Sequence, residues 1–330
     1  MADISIHILD RNVENEDLYE FIETSAGGTI FHHPKFLSYH GKDKFPGPEY
    51  ESCNLLMVRN KEIIGFMPGT LQNTAEGRVY NSPSGASYGG LVTGSEGFEG
   101  RDRMVSSAIE YLKGEFGVRK INITPAPHIY SGDEADDTLN YIYLKNGFWI
   151  VKCDLTVATR VTQDDGFPRS VFRDRVKSSI AQSARKGVSC SITEDIETAY
   201  DIIEKDQKKF GKKPTHSHEE MKTISRLFPG RIVQFIAWKG KDPIAAVCLF
   251  VCNRAACYTF YIDQLEEFRD SRPLDYLLNE VLIWAKKKRY MYVDFGPSTF
   301  GYEPHKTLIF FKEGFGGKGV MKYHLQYEVR

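Results

Sequence analysis

The chain has 330 residues, of which 41% are hydrophobic, 26% charged and 13% aromatic, and its formal net charge is −1. Such a length is about twice that of a typical domain, so two globular domains are expected. The nearly neutral charge argues against a protein built as a whole to bind nucleic acid or a membrane surface. Only local basic patches are compatible with this net charge as binding surfaces for such partners.

Location and redox state follow from three further features. The first twenty residues are rich in charge and contain no apolar stretch, so we expect no signal peptide. The longest apolar run, residues 244–252, is far too short to span a membrane. The six cysteines show no CxxC spacing, which favours reduced thiols over disulfides or zinc ligands. We therefore expect a cytoplasmic protein with no membrane span and no metal.

The first half of the chain alternates strand and helix patterns. Residues 3–9 alternate polar and apolar side chains, which predicts an opening strand, and a short helix follows. Residues 53–73 predict a hairpin that turns at Asn60. After a loop rich in Gly, Ser and Pro come an amphipathic helix at 102–116 and another strand. Residues 138–159 are predicted to form the closing strands.

The second half repeats this order. A hairpin turns at Gly240, the helix at 274–288 matches 102–116, and both following strands break at a proline. Four matched elements in one order indicate an internal duplication. A helix between two strands requires a parallel crossover, so each half is predicted to be an α/β unit whose sheet is otherwise antiparallel. We place the two domains at 1–160 and 161–330.

The sharpest chemical feature lies near the end of the second copy. A strand ends on Asp294 and is followed by a Gly-Pro-Ser turn that includes Ser298. A second apolar run, which we predict to be a strand, ends on Lys312 in a glycine-rich segment. The first copy has Thr124 near the Asp294 position and lacks the double glycine beside Lys145. This difference favours chemistry in the second copy.

Four segments carry a family resemblance: PLDYLLNEVLIWAKKKRYMYVDFGPS, LIFFKEGFGG, FHHPKFL and RVKSSIAQSARKGVSCSI. The chain resembles the GNAT acyltransferases. Its duplication resembles more narrowly the tandem GNAT proteins of the FemAB-like and BioF2-like type, which are peptidyltransferases and N-acetyltransferases. This resemblance implies an α/β fold with a mixed (α+β) sheet and two tandem GNAT-like domains. It also implies an acyltransferase that moves an acetyl or aminoacyl group onto a primary amine by direct attack.

Two departures from the family leave the acyl donor open between acetyl-CoA and aminoacyl-tRNA. The chain has no long helical hairpin of the kind thought to help peptidoglycan-building members hold tRNA. The pyrophosphate loop of ordinary GNAT proteins is also missing, because its position reads DQLEEFRDSR, which is acidic and contains no glycine. Neighbouring carboxylates oppose phosphate binding at a helix start. The first copy reads GSEGFEGRD there and is acidic as well.

Three residues are candidates for catalysis. Asp294, at the end of an apolar strand, is a candidate base for the attacking amine, or else it caps the turn that follows. Lys312 is placed by the resemblance where it polarises an acyl carbonyl or holds a phosphate; otherwise it is a snorkelling lysine at a strand end. His305 lies in a loop near the expected site and is a second candidate base, or else a surface histidine.

Five further residues are candidates for binding substrate: Lys35, Arg173, Lys177, Tyr302 and Ser298. Arg169, Arg173 and Lys177 follow at i, i+4 spacing, which predicts one basic stripe able to meet a phosphorylated acceptor or an RNA donor. The alternative is the solvated face of an amphipathic helix.

The acceptor is expected to be a primary amine on a small molecule or peptide, with a cell-envelope precursor as one class. The second hypothesis is a non-catalytic protein that binds a phosphorylated precursor or a peptide on the same fold. The missing coenzyme A loop favours the second hypothesis, and Asp294 with the FKEGFGG segment favours the first.

Overall fold

A computed structural model describes residues 3–9, 15–39, 50–132, 136–209 and 211–329. It divides into two compact units. The first comprises Met1–Asp154 with Met321–Arg330, and the second Leu155–Val320. The last ten residues therefore belong to the first unit, whereas the predicted domains divide the chain once, between residues 160 and 161.

The helices and strands have the following bounds. The α-helices are α1 (Glu16–Thr24), α2 (Pro34–Leu37), α3 (Phe98–Phe116), α4 (Thr138–Lys145), α5 (Asp174–Arg185), α6 (Glu197–Lys209), α7 (His218–Leu227), α8 (Pro273–Lys287) and α9 (Lys306–Glu313). The strands are β1 (Ser5–Leu9), β2 (Tyr50–Ser52), β3 (Asn54–Arg59), β4 (Glu62–Met67), β5 (Thr70–Thr74), β6 (Gly77–Ser82), β7 (Val92–Thr93), β8 (Val118–Ile123), β9 (Trp149–Arg160), β10 (Val188–Thr193), β11 (Ile232–Lys239), β12 (Asp242–Val251), β13 (Ala256–Gln264), β14 (Tyr292–Pro297), β15 (Thr299–Phe300), β16 (Glu303–Pro304) and β17 (Lys318–Glu328). None of the helices in the described part of the chain has both the length and the apolar character that a bilayer crossing needs.

The first unit contains two sheets. One has the strand order β1-β3-β4-β7, and the other runs from β17 through β8, β6 and β5 to β2. Helix α3 connects β6 to β8, which pair in parallel as predicted. The predicted hairpin β3–β4 turns at Asn60 and Lys61, both with positive φ (52° and 69°), which matches the twist of a tight two-residue turn. Met104, Val105 and Leu112 of α3 are buried in the core of this unit.

The second unit has one main sheet, whose strands follow the order β10-β11-β12-β13-β14-β9. Strands β10 to β13 form an antiparallel meander, and helix α8 crosses over so that β14 lies parallel to β13. The predicted helix at 274–288 and the predicted crossover are therefore present. Helix α8 buries one apolar face against the sheet, formed by Leu277, Leu278, Val281, Leu282 and Ala285.

The apolar run before Lys312 is a helix, α9, so its prediction as a strand was wrong. Its counterpart in the first copy is also a helix, α4, which replaces the predicted first closing strand. Helix α9 is capped at its start because the His305 side chain accepts a hydrogen bond from Leu308 N. The apolar run before Lys312 is too short to distinguish the period of a helix from that of a strand. In the structure Lys312 is buried, whereas Phe310, two residues earlier, is exposed.

His216 lies in the polar segment THSHEE at residues 215–220, whose composition favours exposure to solvent. The structure buries this residue, and its backbone N and ring Nδ1 lie 3.0 and 3.1 Å from the Tyr261 hydroxyl. Helix α7 begins two residues later and is capped by Ser217. Within this segment only His216 is buried, and Tyr261 of strand β13 supplies its hydrogen-bond partner.

Gly317, in the segment after α9, occupies a position with no room for a side chain. A Cβ there would lie 2.5 Å from Val157 Cγ1 and 2.8 Å from Lys312 O. Its φ lies outside the left-handed region, so close packing alone explains the glycine. We read this glycine as a packing residue of the second unit, next to the backbone of Lys312.

Replacement of Gly317 by Ala is expected to destabilise the protein by about 1–3 kcal/mol, because the new methyl group overpacks a filled site. The matched control is Gly114→Ala in helix α3, where a Cβ would meet no atom within 4 Å. That variant is expected to gain up to about 1 kcal/mol from helix propensity. Urea unfolding of both variants tests this pair, and equal effects would contradict the packing explanation.

Candidate active site

The sheet of the second unit opens where strands β13 and β14 separate. Their parallel ladder ends at Tyr258 opposite Asp294. Beyond this point β13 continues to Gln264 and is paired with β12 along its other edge, while β14 continues to Pro297 against β9. Within the described ranges, no strand covers the open edge of β13 from 259 to 264. Its backbone groups can therefore bind an extended ligand.

The chain itself closes the corresponding position in the first unit. Strands β6 and β8 pair in parallel as far as Ser82 opposite Ile123. The loop after β6 then returns, and Gly89 N donates to Thr124 O at 2.8 Å, with a further bridge to Pro125. Gly89 occupies the place beside β8 that an extended ligand would need. This difference distinguishes the two units more sharply than any single side chain.

Asp294 is fully buried at the last position of the β13–β14 ladder. Its Oδ1 accepts hydrogen bonds from the Thr156 hydroxyl and, at 2.8 Å, from Gly296 N. Its backbone carbonyl accepts the Thr259 hydroxyl at 3.2 Å. The contact with Gly296 N is the turn-capping bond that the sequence offered as the alternative to catalysis. The carboxylate therefore fixes the turn that follows β14.

Gly296 allows this turn to form. Its φ is +78°, in the left-handed region that favours glycine, and a Cβ would lie 2.9 Å from the ring of Tyr258. The carbonyl groups of Gly296 and Pro297 consequently point to one place, where the side chain of Lys312 meets them.

Lys312 is almost entirely buried, at 2% exposure. Its Nζ donates to Gly296 O at 2.7 Å, to Pro297 O at 3.1 Å and to Ser298 Oγ at 2.9 Å. An ammonium group has three N–H donors, so these contacts use all of them. Direct contact with an acyl oxygen would require one of these bonds to be exchanged.

Burial lowers the pKa of Lys312 from 10.5 to about 8, while the negative charge of Asp294 acts in the opposite direction. The group thus carries a proton at neutral pH that it loses more readily than an exposed lysine does. A cation and a carboxylate lie on either side of the same turn, beside the open edge of β13.

The structure connects two further candidates to this turn. Ser298 is buried; its hydroxyl accepts from Lys312, and its backbone carbonyl accepts from His305 N at 2.9 Å. The ring of His305 is exposed, and its Nδ1 accepts from Leu308 N at 3.2 Å as the cap of α9. Tyr302 is 71% exposed in the turn between β15 and β16.

The predicted basic stripe does not form. Helix α5 begins at Asp174, and Arg169 lies in a separate 3₁₀ turn, so the basic side chains do not share one helical face. Arg173 pairs with Glu313 at 2.6 Å, and Lys177 with Asp174 at 3.0 Å.

Lys35 lies in the first unit, whereas Asp294 lies in the second. Its Nζ is 4.6 Å from the centre of the Tyr19 ring, a cation–π contact. The structure therefore brings Asp294, Lys312 and Ser298 together, and it places Lys35 in the other unit.

Sequence reasoning missed two buried polar residues of the second unit. Thr156 is one of several threonines in an alternating strand, and nothing in that pattern marks it as the partner of Asp294. Asp263 is an acid within the apolar strand β13, a signal that was available. Its side chain accepts from Gln207 Nε2 at 3.3 Å, and burial, together with the charge of Asp206, raises its pKa to about 7.

Comparison with known proteins agrees with this architecture. Residues 170–307 match the family model described as acetyltransferase (GNAT) domain, which lies within the copy that holds Asp294. No curated protein sequence matches the chain.

Solved structures match nearly the whole chain at low sequence identity. FemX is 14% identical, with 98% of this chain and 97% of that chain covered and a TM-score of 0.74. L-PGS from Bacillus licheniformis is 10% identical, with coverages of 96% and 92% and a TM-score of 0.60. A tandem GNAT protein from the clavulanic acid biosynthesis pathway is 12% identical, with coverages of 99% and 98% and a TM-score of 0.52. The predicted mixed α/β fold of tandem GNAT type is confirmed.

The Thr156–Asp294 bond predicts a measurable difference between two threonines of the same strand. Thr156→Val removes a donor to a buried carboxylate and is expected to cost about 1.5–3 kcal/mol. Thr159→Val removes a bond to the neutral carbonyl of Phe315 and is expected to cost about 0.5–1.5 kcal/mol. Both residues are buried, and the substitution is nearly isosteric, so urea unfolding compares the two acceptors directly. The reverse order would show that the bond to Asp294 is not the stronger of the two.

The lowered pKa of Lys312 predicts how stability depends on pH. Between pH 8 and 10.5 the unfolded chain keeps a proton that the native state has released, so stability should rise with pH through this window. Relative to Lys312→Met, the gain should approach about 3 kcal/mol, at about 1.4 kcal/mol per pKa unit. Urea unfolding of both proteins at each pH cancels the other titrating groups. A constant difference across the window would show that the ammonium is not destabilised by burial.

Proposed function

We propose, from the GNAT match over residues 170–307 and the tandem GNAT fold of the whole chain, that this protein is an acyltransferase acting on a primary amine. The acyl group is proposed to be acetyl or aminoacyl. The site is proposed to be the opening beside β13 in the second unit. The acceptor is proposed to be a small molecule or a peptide, with a cell-envelope precursor as one class.

The separation of β13 and β14 is the observation that carries this proposal. A strand edge with free amides binds an extended chain by backbone hydrogen bonds, and an amide next to the reacting carbonyl stabilises the oxyanion that forms. The open edge lies directly after the ladder that ends at Asp294. The closed counterpart in the first unit supports one reaction site rather than two.

The proposed reaction is a direct transfer. The amine nitrogen attacks the acyl carbonyl, a C–N bond forms, and the bond to the leaving group breaks after a tetrahedral intermediate. The ammonium proton passes to a base before or during attack. Asp294 and His305 are the proposed bases. We assign Lys312 the positioning of the turn that follows β14, together with a positive charge close to the developing oxyanion.

The acceptor contacts are proposed to come from Tyr302 and Ser298 near this turn, from Arg173 at the N-cap of α5 and from Lys177 within α5. Lys35 is proposed separately as a substrate-binding residue of the first unit. Arg173 has the clearest basis, because its guanidinium lies 4.8 Å from the ring centre of Phe310, which is 52% exposed. Arg173 and Phe310 offer a cationic and aromatic surface to an anionic acceptor.

The loop before α8 does not fit a pyrophosphate. Residues Glu266–Ser271 form a 3₁₀ helix with two acids in its first turn, and Glu266 pairs with Arg269. This disagreement leaves the donor class open between a thioester such as acetyl-CoA and an aminoacyl-tRNA. The same loop favours the second candidate function, a non-catalytic protein that binds a phosphorylated precursor or a peptide.

Transfer assays with both donors and a panel of amines test the enzyme proposal. Lys312→Ala is expected to lower kcat/KM by at least about tenfold, because one lost charged contact is worth roughly 1.4 kcal/mol or more. The matched control is Lys145→Ala, the counterpart in the first copy, whose side chain forms an exposed pair with Asp102. It should leave kcat/KM unchanged.

Equal kcat/KM values for the two variants would contradict the role proposed for Lys312. No transfer with either donor, combined with tight binding of a phosphorylated precursor, would favour the non-catalytic function instead. An aminoacyl-tRNA donor further predicts an affinity that falls steeply with salt, whereas a thioester predicts a weak dependence.

A further inference from the structure

The first unit contains an open cleft that has no part in the reaction proposed above. It lies against the first turn of α3, the start of α4 and the segment after β8. Seven of the side chains that line it are polar or ionisable: His32, Thr93, Arg101, His128, Ser131, Asp136 and Asn140. A cleft lined by several convergent polar groups is typical of a small-molecule site.

Arg101 is the unusual member of this group. Its Nη1 donates to Asp136 Oδ2, but its Nε is buried and has no hydrogen-bond partner among the described residues. Buried guanidinium donors are normally satisfied, because leaving one unpaired forfeits its bonds to water. Together, Nε and Nη2 form the edge of the guanidinium fork that matches two oxygens of one anion.

The charges around Arg101 select the kind of anion. Asp136 is held as a carboxylate, since bonds from Thr138 and Arg101 lower its pKa to about 2. His32 adds no positive charge, because burial lowers its pKa to about 4. Arg101 is therefore the one fixed cation among the described lining residues, and it already faces one negative charge. A dianionic phosphate would be poorly balanced there, whereas a single carboxylate matches the fork.

We propose that this cleft binds an α-amino acid or the C-terminal residue of a short peptide. The ligand carboxylate accepts from Nε and Nη2 of Arg101, and its amino group donates to the outer face of Asp136. For a peptide, the amide N–H takes the place of the ammonium. The proposal concerns the first unit alone and does not depend on acyl transfer in the second.

Calorimetric titration of the full chain with the twenty common amino acids and with simple dipeptides tests this site. At least one should bind, and its amino alcohol analogue, which lacks the carboxylate, should bind at least about tenfold more weakly because the Arg101 donors stay unpaired. Inorganic phosphate should not compete. Absence of binding by every amino acid and dipeptide at millimolar concentration, or binding of phosphate in their place, would overturn the proposal.

Two variants with a matched control identify the residues. Arg101→Gln should abolish binding, whereas Arg103→Gln, on the same helix but outside the cleft, should bind like the wild type. Asp136→Asn keeps the guanidinium group of Arg101 but removes the negative charge beside it. The affinity for the amino acid should therefore fall, while a simple carboxylate such as propionate should bind at least as well as before. This second variant also decides the matter if Arg101→Gln fails to fold. Unchanged affinity for the amino acid in Asp136→Asn would exclude the proposed contact with its amino group.

Discussion

The buried ammonium group of Lys312 fixes the conformation of the turn after β14, at the candidate site of the second unit. Three oxygen atoms of the turn after β14 converge on it, and Asp294 fixes the same turn from the other side through Gly296 N. A charge buried at 2% exposure is tolerable only when all its donors are paired. The turn cannot relax without leaving that charge unpaired, so the end of β14 is rigid where the sheet opens.

The same constraint explains why the strands separate. Strand β14 pairs with β9 from Tyr292 to Pro297, but its pairing with β13 ends at Asp294, where the turn held by Asp294 and Gly296 begins. Strand β13 continues to Gln264 paired with β12, while no strand of the described residues pairs with its other edge beyond Tyr258. In the first unit a returning loop supplies Gly89 at the equivalent place, and the edge is closed. The two units thus differ in a backbone feature, the pairing of one strand edge.

Two cationic side chains, Lys312 in the second unit and Arg101 in the first, differ in how their buried donors are paired. Every donor of Lys312 has a protein partner, so that side chain supports the fold as it stands. Arg101 in the first unit keeps a buried donor without a partner and lines an open cleft. A satisfied buried charge indicates a structural contribution, while an unsatisfied one beside open space indicates a ligand. By this criterion the first unit is a binding unit as well as a scaffold.

The sequence by itself determined the helix at 274–288, the parallel crossover and the hairpin turns, because these depend on local periodicity and on turn residues. It also marked Asp294 and Lys312, since a charged residue at the end of an apolar run is visible without coordinates. Only the tertiary structure decided that α9 is a helix, because a short apolar run fits either period. The partnership of Thr156 with Asp294, the burial of His216 and the breakup of the basic stripe were likewise decided by contacts between residues distant in the chain. The open edge of β13 is the clearest case: an unpaired strand edge is a property of its neighbours and leaves no mark in its own residues.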